Sequence, residues 1–136
     1  MAKLNVESVT PERKVATLSA DEVVAPAAEG LYGVLPGHSP FLGLLAAGPL
    51  TVRNGGQTEA WFVAGGFFEV SEDTVRILPD SAEPLASLDA ASASARLREA
   101  EERLKALPAG DSRLAAAAEA VQRERSRLYT AQTRHP

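Results

Sequence analysis

The residue best equipped for acid–base or metal chemistry is His38, set between two prolines in Pro36-Gly37-His38-Ser39-Pro40. Either task needs partners, and the other histidine, His135, lies one residue from the end of the chain. Cysteine is absent, which excludes a thiolate nucleophile, a zinc–thiolate site and a disulfide framework. No Gly-x-Ser-x-Gly elbow, Walker loop, His-Glu-x-x-His or clustered carboxylate pair occurs. Gly65-Gly66 is not followed by a helix carrying Lys-Ser/Thr, so it does not read as a phosphate cradle. The residues therefore do not point to catalysis. His38 reads as a turn residue: the prolines fix φ at both ends, Gly37 takes a positive φ, and His38 with Ser39 supplies polar atoms for the turn backbone.

That corner sits inside the longest uncharged run, residues 30–52. Its length would allow a membrane-spanning helix, but glycines at 30, 33, 37, 43 and 48 and prolines at 36, 40 and 49 exclude one. Apolar pieces of strand length remain, and they predict three short buried strands over about residues 31–35, 41–46 and 50–53. Upstream, residues 3–10 and 14–19 read as strands around Pro11-Glu12-Arg13, and residues 21–26 form a third that stops at Pro26. Asn54-Gly55 is a hairpin signal pairing 50–53 with 58–63, and Gly65-Gly66 predicts a bulge or bend. A second hairpin joins 67–70 to 74–78 across Ser71-Glu72-Asp73. Eight to ten short strands without helical periodicity predict an all-β sandwich, with Trp61, Phe62, Phe67 and Phe68 filling its core or an interface.

The pattern changes at residues 79–84, beyond which alanine, leucine, arginine and glutamate dominate. Ser87 is a candidate N-cap, and Ala93, Leu97, Ala100, Leu104 and Leu107 recur at helical spacing. Leu107-Pro108-Ala109-Gly110 ends that helix and Asp111 caps a second. The second stripe is Leu114, Ala117 or Ala118, Val121 and Leu128, with Glu124 and Arg125 where another apolar residue should fall. An α+β chain is expected: a β-sandwich domain over 1–84, then an antiparallel two-helix hairpin over 85–136 with a weakly held alanine-leucine seam.

Charge is unevenly placed. Residues 1–88 hold five Lys/Arg against eleven Asp/Glu, whereas 112–136 hold five against two. The net charge of -4 argues against a nucleic-acid partner, and the acidic front and basic tail suggest different partners for the two parts. The N-terminal residues lack the pattern of a secretory signal and no run suits a membrane span, so a soluble cytosolic protein without membrane insertion is expected. On the residues alone, a free-standing small-ligand or nucleotide sensor with a helical lid remains the alternative reading.

The stretch Gly-Leu-Tyr-Gly-Val-Leu-Pro-Gly-His-Ser-Pro-Phe-Leu at 30–42, followed by Leu45 and Gly48, resembles the epsilon subunit of bacterial F-type ATP synthases. So do Phe-Val-Ala-Gly-Gly-Phe-Phe-Glu-Val at 62–70 and Val-Arg-Ile-Leu-Pro-Asp-Ser-Ala-Glu at 75–83, and the likeness covers essentially the whole chain. The resemblance implies a non-catalytic central-stalk subunit that couples rotation of the proton-driven c-ring to ATP synthesis, peripheral to the cytoplasmic face of the bacterial membrane. It implies that Glu29, Gly30, Leu31 and Tyr32 face the c-ring, that Pro36, Gly37 and His38 lie near the gamma subunit, and that the hairpin impedes ATP hydrolysis. Arg113, Arg123, Arg125 and Arg127 would then meet an acidic segment of a catalytic beta subunit, with the hairpin reaching the catalytic alpha and beta subunits; as a solvated helix face these arginines need no partner. Some members bind regulatory ATP through Leu-Asp-x-x-Arg-Ala. Here Glu83 and Asp89 match, but Ser92 stands in place of arginine and cannot replace its bidentate charge. No cofactor is therefore expected, and at most weak ATP binding.

Overall fold

A computed structural model of the chain describes residues 2–9 and 14–133. The turn expected at Pro11-Glu12-Arg13 and the residue His135 lie outside them. The chain divides into two compact units, one ending at Ala86 and the other starting at Ser87.

The first unit is a sandwich of eight strands: β1 (Leu4–Val9), β2 (Lys14–Ala20), β3 (Glu22–Ala27), β4 (Gly30–Val34), β5 (Phe41–Leu44), β6 (Gly48–Asn54), β7 (Gln57–Ser71) and β8 (Thr74–Pro84). Hydrogen bonding runs in the order β2-β1-β8-β7-β6-β3-β4, and β5 also pairs with β7. Among the described residues, β1 and β8 pair in parallel and the other pairings are antiparallel.

The 15-residue β7 holds this arrangement together. Its first half pairs with β6 and its second half with β5, while β8 runs along its other edge. The change of partner falls at Gly65 and Gly66, with φ of +69° and +94°. Register with β8 is the same on both sides, Ala64 facing Ser81 and Gly66 facing Pro79, so the strand bends without an inserted residue and the bulge alternative does not apply. Glycine is required for two reasons. L-residues avoid this φ, and a Cβ on Gly66 would run into the Leu78 carbonyl oxygen and lie 2.7 Å from Pro79 Cα.

Alternate residues on the strands fill one core, including Leu4, Val6, Val23, Val34, Leu50, Val63, Phe68, Val70, Val75 and Ile77. Phe62 is buried as well and Trp61 packs at the margin, but Phe67 points outward. The hairpin turns also refine the expectation. Asn54 pairs with Gln57, so the first turn is Gly55-Gly56 with positive φ at Gly55, rather than Asn54-Gly55. The second turn is Glu72-Asp73, both at positive φ, as a two-residue hairpin matched to strand twist requires. Strand β8 continues six residues past the expected end at Leu78 because it follows β7 through the bend.

At one end of the sandwich a polar clasp joins three segments. Lys3 donates to Asp21 Oδ1 and to Asn54 Oδ1 at 2.7 Å, and the Gly55 amide donates to Asp21 Oδ2 at 2.7 Å. These bonds, led by the one from Lys3, hold the Asp21 pKa below its ordinary value.

A short 3-10 turn (Leu85–Ser87) spans the junction, and the second unit holds α1 (Ala90–Ala106) and α2 (Leu114–Thr133), which pack on each other. Asp89, not Ser87, is the N-cap of α1: its carboxylate accepts from the Ser92 amide at 2.8 Å. Before α2, Asp111 accepts from the Arg113 amide at 2.8 Å. Buried residues of the two helices include Ala93, Ala100 and Val121, and also Glu124, Arg127 and Thr130.

Two outcomes test this architecture. Gly66→Ala should lower sandwich stability by more than about 3 kcal/mol in urea unfolding, whereas Gly56→Ala, in open space, should stay within about 0.5 kcal/mol. A carboxylate with a depressed folded pKa adds stability above its unfolded pKa, and that contribution is lost as pH falls through the folded value. The stability gap between wild type and Asp21→Asn should therefore be full at about pH 6 and shrink as pH drops below 3.8.

Candidate interaction surface

His38 stands at the centre of a small bonded cluster. Pro36 and Gly37 occupy the middle positions of a tight turn closed by His38 N–H donating to the Leu35 carbonyl at 3.2 Å. Gly37 has φ of +88°, so proline first and glycine second give the type II pattern. The His38 ring then bends back over the corner. Its Nδ1 lies 2.6 Å from the Ser39 carbonyl oxygen and its Nε2 lies 2.9 Å from the Tyr32 hydroxyl. A carbonyl only accepts, so Nδ1 carries the proton, and in the neutral ring Nε2 accepts from Tyr32 O–H. Both nitrogens are occupied by the protein itself, which suits a strut and not a base waiting for substrate.

Tyr32 extends the cluster into the sandwich. Its ring stacks on Phe41 with centroids 4.4 Å apart and planes 11° apart, and both rings lean on buried Phe68. Gly43 makes room for them: a Cβ there would sit 2.7 Å from the Phe68 ring and 2.8 Å from that of Phe41.

Outside this cluster lies an apolar ledge. Leu31 at the start of β4 is 70% exposed, and Leu42 and Leu44 of β5 are 67% and 69% exposed. Leu35 and Phe67 are also exposed, and Phe67 sits opposite Leu44 across the β5–β7 pairing. The expectation that 31–35 and 41–46 are buried strands is thus corrected. Only Val34 and Leu45 of these pieces are buried; within β5 the Phe41 ring and Gly43 lie against Phe68, while Leu42 and Leu44 face outward. Large exposed apolar side chains grouped in this way mark interaction sites. The remaining residues expected at this surface fall nearby: Glu29 lies in the two-residue turn between β3 and β4, and Gly30 opens β4 with φ of +128°. No group of His, Cys, Asp and Glu among the described residues is arranged to hold a metal ion.

The four hairpin arginines are all engaged. Arg113 makes two side-chain hydrogen bonds to Asp111, at 3.0 and 2.9 Å; they hold the Asp111 pKa down and push that of Arg113 up. Arg125 lies 3.9 Å from Glu101 across the helix pair. Arg123 and Arg127 both donate to Glu124, at 3.0 and 2.9 Å. Arg127 and Glu124 are buried, so the four do not form one solvated face; three of them, Arg113, Arg123 and Arg125, have side chains well open to solvent. Of the residues matched to a nucleotide motif, Glu83 lies in β8 opposite Phe62, and Asp89 spends its carboxylate on the α1 cap.

Residue reading alone does not single out Leu42, Leu44 or Asp73, whereas Phe67 reads as filling the core or an interface and proves to be exposed. For the two leucines a signal exists. Phe41-Leu42-Gly43-Leu44 is apolar on both faces of a strand, more than one core can take up.

The profile of the ATP synthase delta/epsilon chain β-sandwich domain matches residues 3–85. Over nearly their full lengths, 98% of each, the chain is 46% identical to the ATP synthase epsilon chain of Myxococcus xanthus. It is 45% identical to that of Solibacter usitatus, covering 94% of this chain and 95% of the relative. Among solved structures, a chain of the Euglena gracilis mitochondrial ATP synthase OSCP/F1/c-ring complex shares the fold, with a TM-score of 0.79 at 23% identity, covering 93% of this chain and 79% of that one. The match of both the sandwich and the full length leads to one assignment: the chain belongs to the ATP synthase epsilon chain family.

Proposed function

We propose that this chain is a non-catalytic subunit of the rotary central stalk of a bacterial, proton-driven F-type ATP synthase. Its sandwich docks on the gamma subunit and the c-ring, and its hairpin brakes ATP hydrolysis by meeting the catalytic alpha and beta subunits. The observation that carries the reading is the kinship with epsilon chains over nearly the whole length. The apolar ledge supports it, since a rotating stalk needs a rigid part with a surface that stays attached. No helix among the described residues is long and apolar enough to cross a membrane, and this reading places the chain at the cytoplasmic face through its partners.

In the proposed arrangement residues 29–32, Leu31 of the ledge included, face the ring, and residues 36–38 with Leu42, Leu44 and Phe67 of the ledge face gamma. The brake uses Arg113, Arg123 and Arg125; Arg127 contributes only where α2 has moved and uncovered it. Regulatory ATP holds the hairpin at most weakly, because Ser92 offers no guanidinium and Asp89 accepts the Ser92 amide as a cap.

Docking is tested by adding purified chain back to ATP synthase stripped of this subunit. Leu42→Ser/Leu44→Ser should fold normally, as both side chains are exposed, yet bind more weakly by about 3 kcal/mol, roughly 100-fold. Unchanged affinity would place the docking surface elsewhere. For the brake, a chain ended after Ala86 and the variant Arg113→Gln/Arg123→Gln/Arg125→Gln should both assemble and both raise ATP hydrolysis. The wild-type brake should also weaken as salt rises, since exposed charges are screened beyond about 8–10 Å at 0.10–0.15 M. Equal hydrolysis by all three chains would remove the hairpin from the mechanism.

A further inference from the structure

We propose that Asp73, at the tip of the β7–β8 hairpin, is the positioning residue that holds the Pro36-Gly37-His38 corner in its docking geometry. The proposal rests on the reading of that corner as an interface. The corner, residues 35–40, lies between β4 and β5 and has no ladder of its own. Two of its hydrogen bonds are internal, His38 N–H to Leu35 and His38 Nδ1–H to Ser39; they shape the turn but cannot fix where it sits. Two others fix its place relative to the sheet. One is the bond between Tyr32 and His38; in the other, the Asp73 carboxylate accepts from the Gly37 amide at 2.7 Å.

Asp73 can do this because its own backbone is anchored. Its carbonyl oxygen accepts from the Asn5 amide at 2.8 Å, tying the hairpin tip to the start of β1, beside the parallel β1–β8 pairing. Its φ of +59° suits the two-residue turn, a conformation Asp and Asn tolerate better than most L-residues. The main chain thus belongs to the sheet while the side chain reaches, 36 residues back in sequence, to the corner. A charge-assisted bond to an amide is stronger than a neutral one, and a corner fixed before binding loses less freedom when a partner closes on it.

Three variants separate positioning from folding. Asp73→Gly keeps the turn, since glycine accepts positive φ, and removes the carboxylate. Asp73→Asn keeps both an acceptor oxygen and tolerance of positive φ, and serves as the rescue. Asp73→Ala also removes the acceptor but keeps a side chain at positive φ, so its difference from Asp73→Gly reports the structural cost of the turn. In the isolated full-length chain, side-chain nitrogen NMR of His38 should show a single Nδ1–H tautomer for wild type and Asp73→Asn. Asp73→Gly should give averaged shifts while its melting temperature stays within about 5 °C of wild type. In add-back to the stripped complex, Asp73→Gly should bind about tenfold more weakly and Asp73→Asn within about twofold of wild type.

An unchanged His38 signature in Asp73→Gly would overturn the proposal, as would a changed signature with unchanged affinity while Leu42→Ser/Leu44→Ser still impairs binding. If neither the leucine nor the Asp73 variants affect affinity although the His38 signature changes, the docking assignment has failed, whereas Asp73 still places the corner.

Discussion

Everything in the sandwich depends on one strand changing neighbours part-way along. Strand β7 can pair with β6 over its first half and with β5 over its second only because Gly65 and Gly66 turn the backbone through a region closed to other residues, with Leu78 and Pro79 pressed against the place a side chain would occupy. Since β8 keeps its register throughout, the bend passes to the neighbouring strand and folds both halves of the sheet around the same valines, leucines and phenylalanines. Without the bend β5 would lose its partner, and with it the closure of the core around Phe68.

The same bend creates the outward ledge. Strand β5 is four residues long and pairs with the far half of β7, so its alternation puts Leu42 and Leu44 outside beside Phe67. The aromatic cluster of Tyr32, Phe41 and Phe68 lies behind, and the proline corner is braced from the side by Asp73. An apolar surface on such a backing offers a partner contact area that needs little ordering on binding, which is how modest areas reach useful affinity.

Much of this was legible in the residues because it follows from local chemistry. Proline and glycine spacing excluded a helix over 30–52, the hairpin turns announced themselves, and the alanine-leucine stripes separated the helices from the strands. Other features depend on distant parts of the chain. The apolar piece 41–46 reads as buried; Phe41-Leu42-Gly43-Leu44 carries apolar residues for both faces of a strand, but which face stays uncovered depends on what packs against it. Glu124 interrupts the apolar stripe in the sequence, but its burial with Arg127 follows from packing, with Arg123 and Arg127 of its own helix supplying the counter-charge. Ser87 and Asp89 are both acceptable caps; the one that wins is the one whose carboxylate reaches the Ser92 amide. The pairing of Asp73 with Gly37 leaves no local trace, since an acid in a hairpin turn is explained by the turn alone.

The parallel pairing of β1 with β8 has a consequence for synthesis on the ribosome. Residues 5–8 find their second neighbour in residues 74–77, so β1 keeps one edge unpaired while the strands between them are made. At roughly 5–20 residues per second that interval lasts several seconds or more. During it β3, β4 and β6 can assemble on the first half of β7, but the N-terminal strand is fastened last, when β8 arrives to lie between β1 and β7. Closure of the sandwich is therefore tied to the emergence of one late segment, the strand β8.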